Sequence, residues 1–129
     1  MDNNFSAFLL ADQTLHAQAE DVGIHIRLPW YRALPLSTVE VASLLVDGQS
    51  VSREQILFEL NGRRWTLAEC ADQTNEWWYV LDDAILHVDL AGVRPQTVYE
   101  VDLTLNLYPP YMLGFVWVTH SAKRLQAQT

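Results

Sequence analysis

Hydrophobic and polar residues alternate through much of this chain with a period of two, the repeat of a pleated strand. Between Val22 and Leu28, Val22, Ile24, Ile26 and Leu28 fall on one side, and His25 and Arg27 fall on the other. The clearest case runs from Thr97 to Tyr108. There Tyr99, Val101, Leu103, Leu105 and Leu107 alternate with Glu100, Asp102, Thr104 and Asn106. One dry face and one wet face are the mark of an antiparallel sheet. Two dipeptides interrupt the pattern. Asp47-Gly48 separates Ser43-Leu-Leu-Val46 from Gln49-Ser-Val51, and Asn61-Gly62 separates Ile56-Leu-Phe-Glu-Leu60 from Arg63-Arg-Trp-Thr-Leu67. Both pairs accept the positive φ of a type I′ turn and predict tight hairpins.

Trp77-Trp-Tyr-Val-Leu81 and Ala84-Ile-Leu-His-Val-Asp-Leu90 read as further short strands, with Asp82-Asp83 in a turn between them. Leu113-Gly-Phe-Val-Trp-Val-Thr-His120 is apolar on both faces, so it is either a central strand covered on both sides or a strand facing a partner. Helical periodicity is weak, and only Ser52-Arg-Glu-Gln55 fits a single turn. Roughly eight strands with frequent turns predict an all-β, antiparallel two-sheet sandwich, jelly-roll-like, with a closed barrel as the alternative.

The 129 residues fit one domain, expected to span 1–129, and half of them are hydrophobic, enough for a core without staples. The one cysteine, Cys70, excludes an internal disulfide. Acidic neighbours disfavour its thiolate, so a reactive nucleophile is not expected there. Sixteen acids against eight bases give a formal charge of −8. Such a surface repels nucleic acid and anionic lipid, and neither nucleic acid nor membrane is expected as a partner. Glu69, Asp72, Glu76, Asp82, Asp83 and Asp89 follow one another with no lysine or arginine between them. They form either a solvated edge or a charged docking face. No stretch approaches the ~20 apolar residues that span a bilayer. The opening Met1-Asp-Asn-Asn-Phe5 lacks the basic start and apolar run of a secretion signal, so the expected location is the cytoplasm.

A free-standing enzyme should show a constellation of chemical groups. The histidines, His16, His25, His87 and His120, have no metal-ligand spacing. His25 and His87 are expected on outward strand faces, solvated or hydrogen-bonded. A cupin-like metal site drawing His25, His87 and His120 from separate strands is one alternative. The chain has no nucleophile elbow, no phosphate-binding loop and no dinucleotide fingerprint.

Two segments do stand out. In Ile26-Arg-Leu-Pro-Trp-Tyr-Arg-Ala-Leu-Pro-Leu-Ser37, two prolines fix φ around Trp30, Tyr31 and Arg32. These residue types are enriched at interface hot spots, and a stiff loop loses little entropy on docking. Tyr108-Pro-Pro-Tyr111 makes a rigid aromatic corner. Both segments would serve either a docking surface or a cap on the sandwich core. In Trp77-Trp78, alternation sends one ring inward and leaves the other for the surface.

The stretch Ile26-Arg-Leu-Pro-Trp-Tyr-Arg-Ala-Leu-Pro-Leu-Ser-Thr-Val-Glu40, followed by a strand ending in Val46-Asp-Gly48, resembles the β subunit of bacterial C-glycoside deglycosidases. The Trp-rich segment 77–83, the long strand 98–107 and the corner at Tyr111 follow in similar order, so the resemblance spans about residues 20–120. Ala91-Gly-Val-Arg-Pro95 is a mild departure from a more glycine-rich turn.

The resemblance implies a small β-sandwich subunit that pairs with a larger TIM-barrel α subunit. The complex would cleave the carbon–carbon bond between a 3-oxo sugar and an aglycone such as a flavonoid, by proton abstraction beside the ketone and elimination. The catalytic groups and a divalent metal, manganese, are expected on the α subunit, with no cofactor in this chain. By position, Trp30, Tyr31 and Arg32 are the expected docking loop, joined by Tyr111 and Trp78, with Arg27 facing a partner carboxylate, substrate or solvent. A free-standing carbohydrate-binding module is the other reading.

Overall fold

A computed structural model describes residues 9–10, 15–17, 21–90 and 93–128. The opening segment Met1–Phe5 and the Ala91-Gly92 part of the turn singled out above lie outside the described residues.

Eleven strands are described: β1 (Leu15–Ala17), β2 (Val22–Arg27), β3 (Leu34–Pro35), β4 (Val39–Val46), β5 (Gln49–Ser50), β6 (Ile56–Leu60), β7 (Arg63–Thr66), β8 (Trp77–Trp78), β9 (Asp83–Val88), β10 (Val98–Leu107) and β11 (Trp117–Gln126). One sheet has the order β1-β2-β9-β6-β7 and the other β11-β10-β4-β5, with β3 and β8 paired as a short bridge. Among the described residues every pairing between these strands is antiparallel, and a single parallel bridge joins His16 of β1 to Gln128. The all-β sandwich read from the sequence is the fold.

The alternation is converted directly into burial. Ile24, Ile26, Leu86 and Phe58 of the first sheet join Leu44, Val101, Leu103 and Leu105 of the second in one core. At roughly 25 cal/mol per Å² of apolar surface withdrawn from water, this shared core drives the pairing of the sheets. Both predicted hairpins form. Asp47 and Gly48 have φ of 50° and 79°, and Asn61 and Gly62 have 54° and 80°.

Four elements differ from expectation, each for a local reason. Strand β4 begins at Val39 rather than near Ser43 and carries a bulge. Thr104 pairs with Ser43 but Leu105 pairs with Val41, leaving Ala42 without a partner. The extra residue lets Val41 and Leu44, three apart, both point into the core. Strand β7 stops at Thr66, which caps a four-residue helix α1 (Leu67–Cys70). Thr66 Oγ1 accepts from the Glu69 amide at 3.2 Å, and Glu69 Oε1 accepts from the Thr66 amide at 2.9 Å. This Thr-x-x-Glu capping box was legible in the sequence.

The strand expected at 77–81 shrinks to two residues, because the Asp82 amide donates to the Tyr79 carbonyl and closes a turn. Asp82 ends that turn and Asp83 opens β9. Finally, the strand expected at 113–120 starts only at Trp117. Residues 109–115 fold into successive turns closed by Met112 N–H to Pro109 O and Phe115 N–H to Met112 O, with Gly114 at φ 78°. Strand β11 lies at a sheet edge and not in the centre. Among the described residues no helix is long and apolar enough to cross a membrane.

Candidate functional site: an aromatic end of the sandwich

The registers gather several loops at one end of the molecule. Strand β2 ends at Arg27, opposite Asp83 where β9 begins, and β6 runs antiparallel to β9 into the Asn61-Gly62 turn. In the second sheet Leu107, ending β10, lies opposite Val39 and Trp117, which open β4 and β11. Loops 28–33, 61–62, 79–82 and 108–116 therefore share this end.

Side chains stitch the loops together. Trp30 Nε1 donates to the Tyr111 hydroxyl at 2.6 Å. The Trp30 ring meets Trp117 edge-on at 5.3 Å and Phe115 at 6.4 Å. Asn61 Nδ2 donates to Glu76 Oε2 at 2.8 Å and to the Trp77 carbonyl at 3.0 Å, tying the hairpin to β8. At the root of the long loop, Glu40 accepts from Asn106 and from the Tyr108 hydroxyl, both at 2.9 Å. The bond from Asn106, followed by that from Tyr108, holds the Glu40 pKa below its usual value. The same hydrogen bond to Glu40 raises the pKa of Tyr108.

Thirteen large hydrophobic side chains are exposed among the described residues. Ten belong to this end: Tyr31, Trp77, Tyr79, Val80, Leu81, Tyr108, Tyr111, Met112, Leu113 and Val116. Leu113, at the apex of its turn, is 97% exposed and Leu81 is 86% exposed. An apolar concentration of this kind makes this end the candidate interaction surface.

The candidates named from the sequence divide into three groups. Tyr31, Arg32 and Tyr111 come together at the surface. The Arg32 guanidinium lies 5.0 Å from the centre of the Tyr111 ring. The neighbouring Tyr111 hydroxyl is the first cause of the raised pKa of Tyr31. Trp30 corrects its expected place: it is only 5% exposed and supports the other three from below instead of projecting. Its ring packs among other aromatics at the mouth of the core, where burial outweighs presentation.

Trp78 is likewise corrected. It is fully buried, edge-on to Phe58 at 5.7 Å, with Nε1 donating to the Asp82 carbonyl at 2.8 Å. Trp77, its neighbour on the other face of β8, is the exposed one. Arg27 is engaged within the chain, its Nε 3.3 Å from Asp83 Oδ1.

The cupin-like alternative finds its histidines apart. His120 stands on β11 in the second sheet, 2.8 Å from Asp102. His25 and His87 belong to the first sheet. His87 takes the hydrogen-bonded form of the expectation: it is buried, with its Nε2 hydrogen-bonded to Glu59 Oε1 at 2.8 Å and its Nδ1 3.3 Å from Asp21 Oδ2. Burial pushes the Glu59 pKa up, but the bonds from His87 and Arg64 outweigh it and the net shift is downward. Burial also lowers the pKa of His25, aided by His16. Among the described residues no three metal-ligating side chains are placed to hold an ion. Cys70 is buried, and burial raises its thiol to about 11.

Sequence reasoning foresaw that one ring of Trp77-Trp78 is exposed but named Trp78 instead of Trp77, and it passed over Tyr79, Val80, Leu81 and Leu113. Leu113 was read into a strand, although Pro109-Pro110 before it and Gly114 after it are turn signals.

The fold is a small antiparallel β-sandwich with one apolar, aromatic end. The family model of the C-glycoside deglycosidase β subunit matches residues 11–111, and the chain belongs to that family. A β subunit of 3'-dehydrocarminate deglycosidase from a Microbacterium species is 39% identical over 109 residues, 84% of this chain and 81% of that protein. C-glycoside deglycosidase β subunits from Arthrobacter globiformis and Microbacterium trichothecenolyticum are 36% and 35% identical over 107 and 105 residues. Those alignments cover 83% and 81% of this chain, and 82% and 79% of the relatives. The family match takes in Trp30, Tyr31, Arg32, Trp77 and Tyr111 and stops as the exposed turn at Leu113 begins.

Proposed function

We propose that this chain is the β subunit of a C-glycoside deglycosidase and that its aromatic end docks on a larger TIM-barrel α subunit. The concentration of ten exposed large hydrophobic side chains at one end carries this reading. A surface of that kind gains free energy when a partner withdraws it from water.

In this reading the α subunit supplies the groups that abstract a proton beside the ketone of a 3-oxo C-glycoside and expel the aglycone. The divalent metal, manganese by resemblance, would also belong to the α subunit. This chain's part is to close the site. Loops 28–33, 79–82 and 108–116 would form a wall that keeps water out, where developing enolate charge interacts more strongly with fixed dipoles. The Trp30–Tyr111 bond and the two proline-bounded loops make that wall rigid before docking, so less ordering remains to be done on assembly.

The test is reconstitution. The chain alone is expected to turn over no C-glycoside, and mixing it with its α subunit restores cleavage. Leu113→Asp, which places a charge at the apex without touching the core, is expected to weaken assembly by about 2 kcal/mol or more, as at a hot spot. Turnover by the isolated chain, or full-strength assembly of Leu113→Asp together with Trp77→Ala, would overturn the proposal.

A further inference from the structure

The aromatic end holds one cation in an unusual setting. The chain has sixteen acids and eight bases, and among the described residues three arginines lie beside a carboxylate. Arg27 lies beside Asp83, Arg63 beside Glu76 and Arg64 beside Glu59. Arg53 donates to the Val41 carbonyl at 2.9 Å. Arg32 has no carboxylate within ion-pair distance among the described residues and rests instead over the ring of Tyr111. Among the described residues Arg94 and Arg124 have no carboxylate within ion-pair distance either, and neither lies over an aromatic ring.

The seat beneath Arg32 is fixed from below. The Tyr111 hydroxyl takes the Nε1–H of buried Trp30 at 2.6 Å. A guanidinium held over a ring makes no ion pair with it and keeps planar N–H donors spaced to fit both oxygens of a carboxylate. Holding it there beforehand removes much of the side-chain entropy that an arginine loses on pairing.

We infer that Arg32 is a ready-made carboxylate receptor of this interface and pairs with an aspartate or glutamate of the α subunit. This rests on the docking reading above and adds the chemistry of the partner at one point. The pairing would help select the correct partner, since an acidic β subunit repels acidic surfaces everywhere except at such a point.

The experiment uses the purified full-length chain and its α subunit, with dissociation constants measured by titration calorimetry at low and high salt. Arg32→Ala is expected to weaken assembly roughly 30-fold at low salt and to flatten the salt dependence. Arg32→Lys, which keeps the charge and loses the fork, is expected to recover only part of the affinity. Thermal unfolding of the free Arg32→Ala chain is expected to match the parent, because Arg32 is exposed. Leu113→Asp separates this inference from its foundation. If Leu113→Asp weakens assembly and Arg32→Ala does not, the carboxylate assignment falls and the docking face stands. If neither weakens it, the docking face falls as well. If Arg32→Ala leaves assembly intact but raises KM for an anionic substrate, the anion belongs to the substrate and the assignment to the α subunit is overturned.

Discussion

Trp30 and Tyr111, 81 residues apart in the chain, are joined by a 2.6 Å hydrogen bond from indole to hydroxyl. That bond ties the end of one sheet to the end of the other and turns two loops into one surface. Tyr111→Phe keeps the ring under Arg32 and removes the acceptor. It is expected to lower stability by about 1 kcal/mol, the usual net worth of such a bond, and to loosen the loop. Urea unfolding of the free chain measures the first effect, and amide exchange across 108–116 measures the second.

The paired tryptophans of β8 offer a direct contrast. Trp78 fills the core against Phe58, so Trp78→Ala is expected to cost about 3–5 kcal/mol in denaturant midpoint terms. Trp77→Ala is expected to change stability by less than about 1 kcal/mol and to act on assembly instead. Chemical denaturation of both variants, with an assembly titration for Trp77→Ala, checks the division. Equal losses of stability would show that the two rings are not sorted between core and surface as described.

Glu40 should make stability depend on pH. Its pKa is depressed below the ordinary 4.5, first by the bond from Asn106 and then by that from Tyr108. A carboxylate with a lowered folded value contributes stability that is fully present above 4.5 and disappears as pH falls through the folded value. Glu40→Gln is therefore expected to be less stable than the parent at neutral pH, and the difference should narrow as acid protonates the parent. Denaturation midpoints compared from neutral to acidic pH supply the measurement.

Cys70 should behave as an inert core residue. It is buried and its thiol is raised to about 11, so almost none is thiolate at neutral pH. A thiol reagent is expected to leave the folded chain unmodified for as long as it stays folded and to label one site promptly in denaturant. Fast labelling of the native protein would contradict this placement.

The capping box at α1 sets a smaller, local test. Thr66→Ala removes the side-chain oxygen that receives the Glu69 amide and should cost about 1 kcal/mol, as N-cap losses do. The same denaturation assay reads it.

Sequence alone determined what depends on near neighbours. Period-two alternation placed β2 and β10 and chose their buried faces, because a strand's side chains can only alternate. Asp47-Gly48 and Asn61-Gly62 set two hairpins, because few other residues take up positive φ. The proline-bounded Trp-Tyr-Arg loop was visible as a special segment, and the family likeness was carried by the same residues. The Thr66–Glu69 box was equally local and could have been read.

Tertiary structure alone decided everything that required two distant segments to meet. No local rule says that Trp30 lies inward against Trp117 while Tyr31 and Arg32 stay outside, since that depends on a loop 81 residues away supplying Tyr111. Whether Trp77 or Trp78 faces the core depends on the register of β8 against β3. His87 is dry because Glu59 and Asp21, from other parts of the chain, close over it. Burial is a property of the assembled sheets, and a single strand's pattern gives its two faces without saying what will cover them.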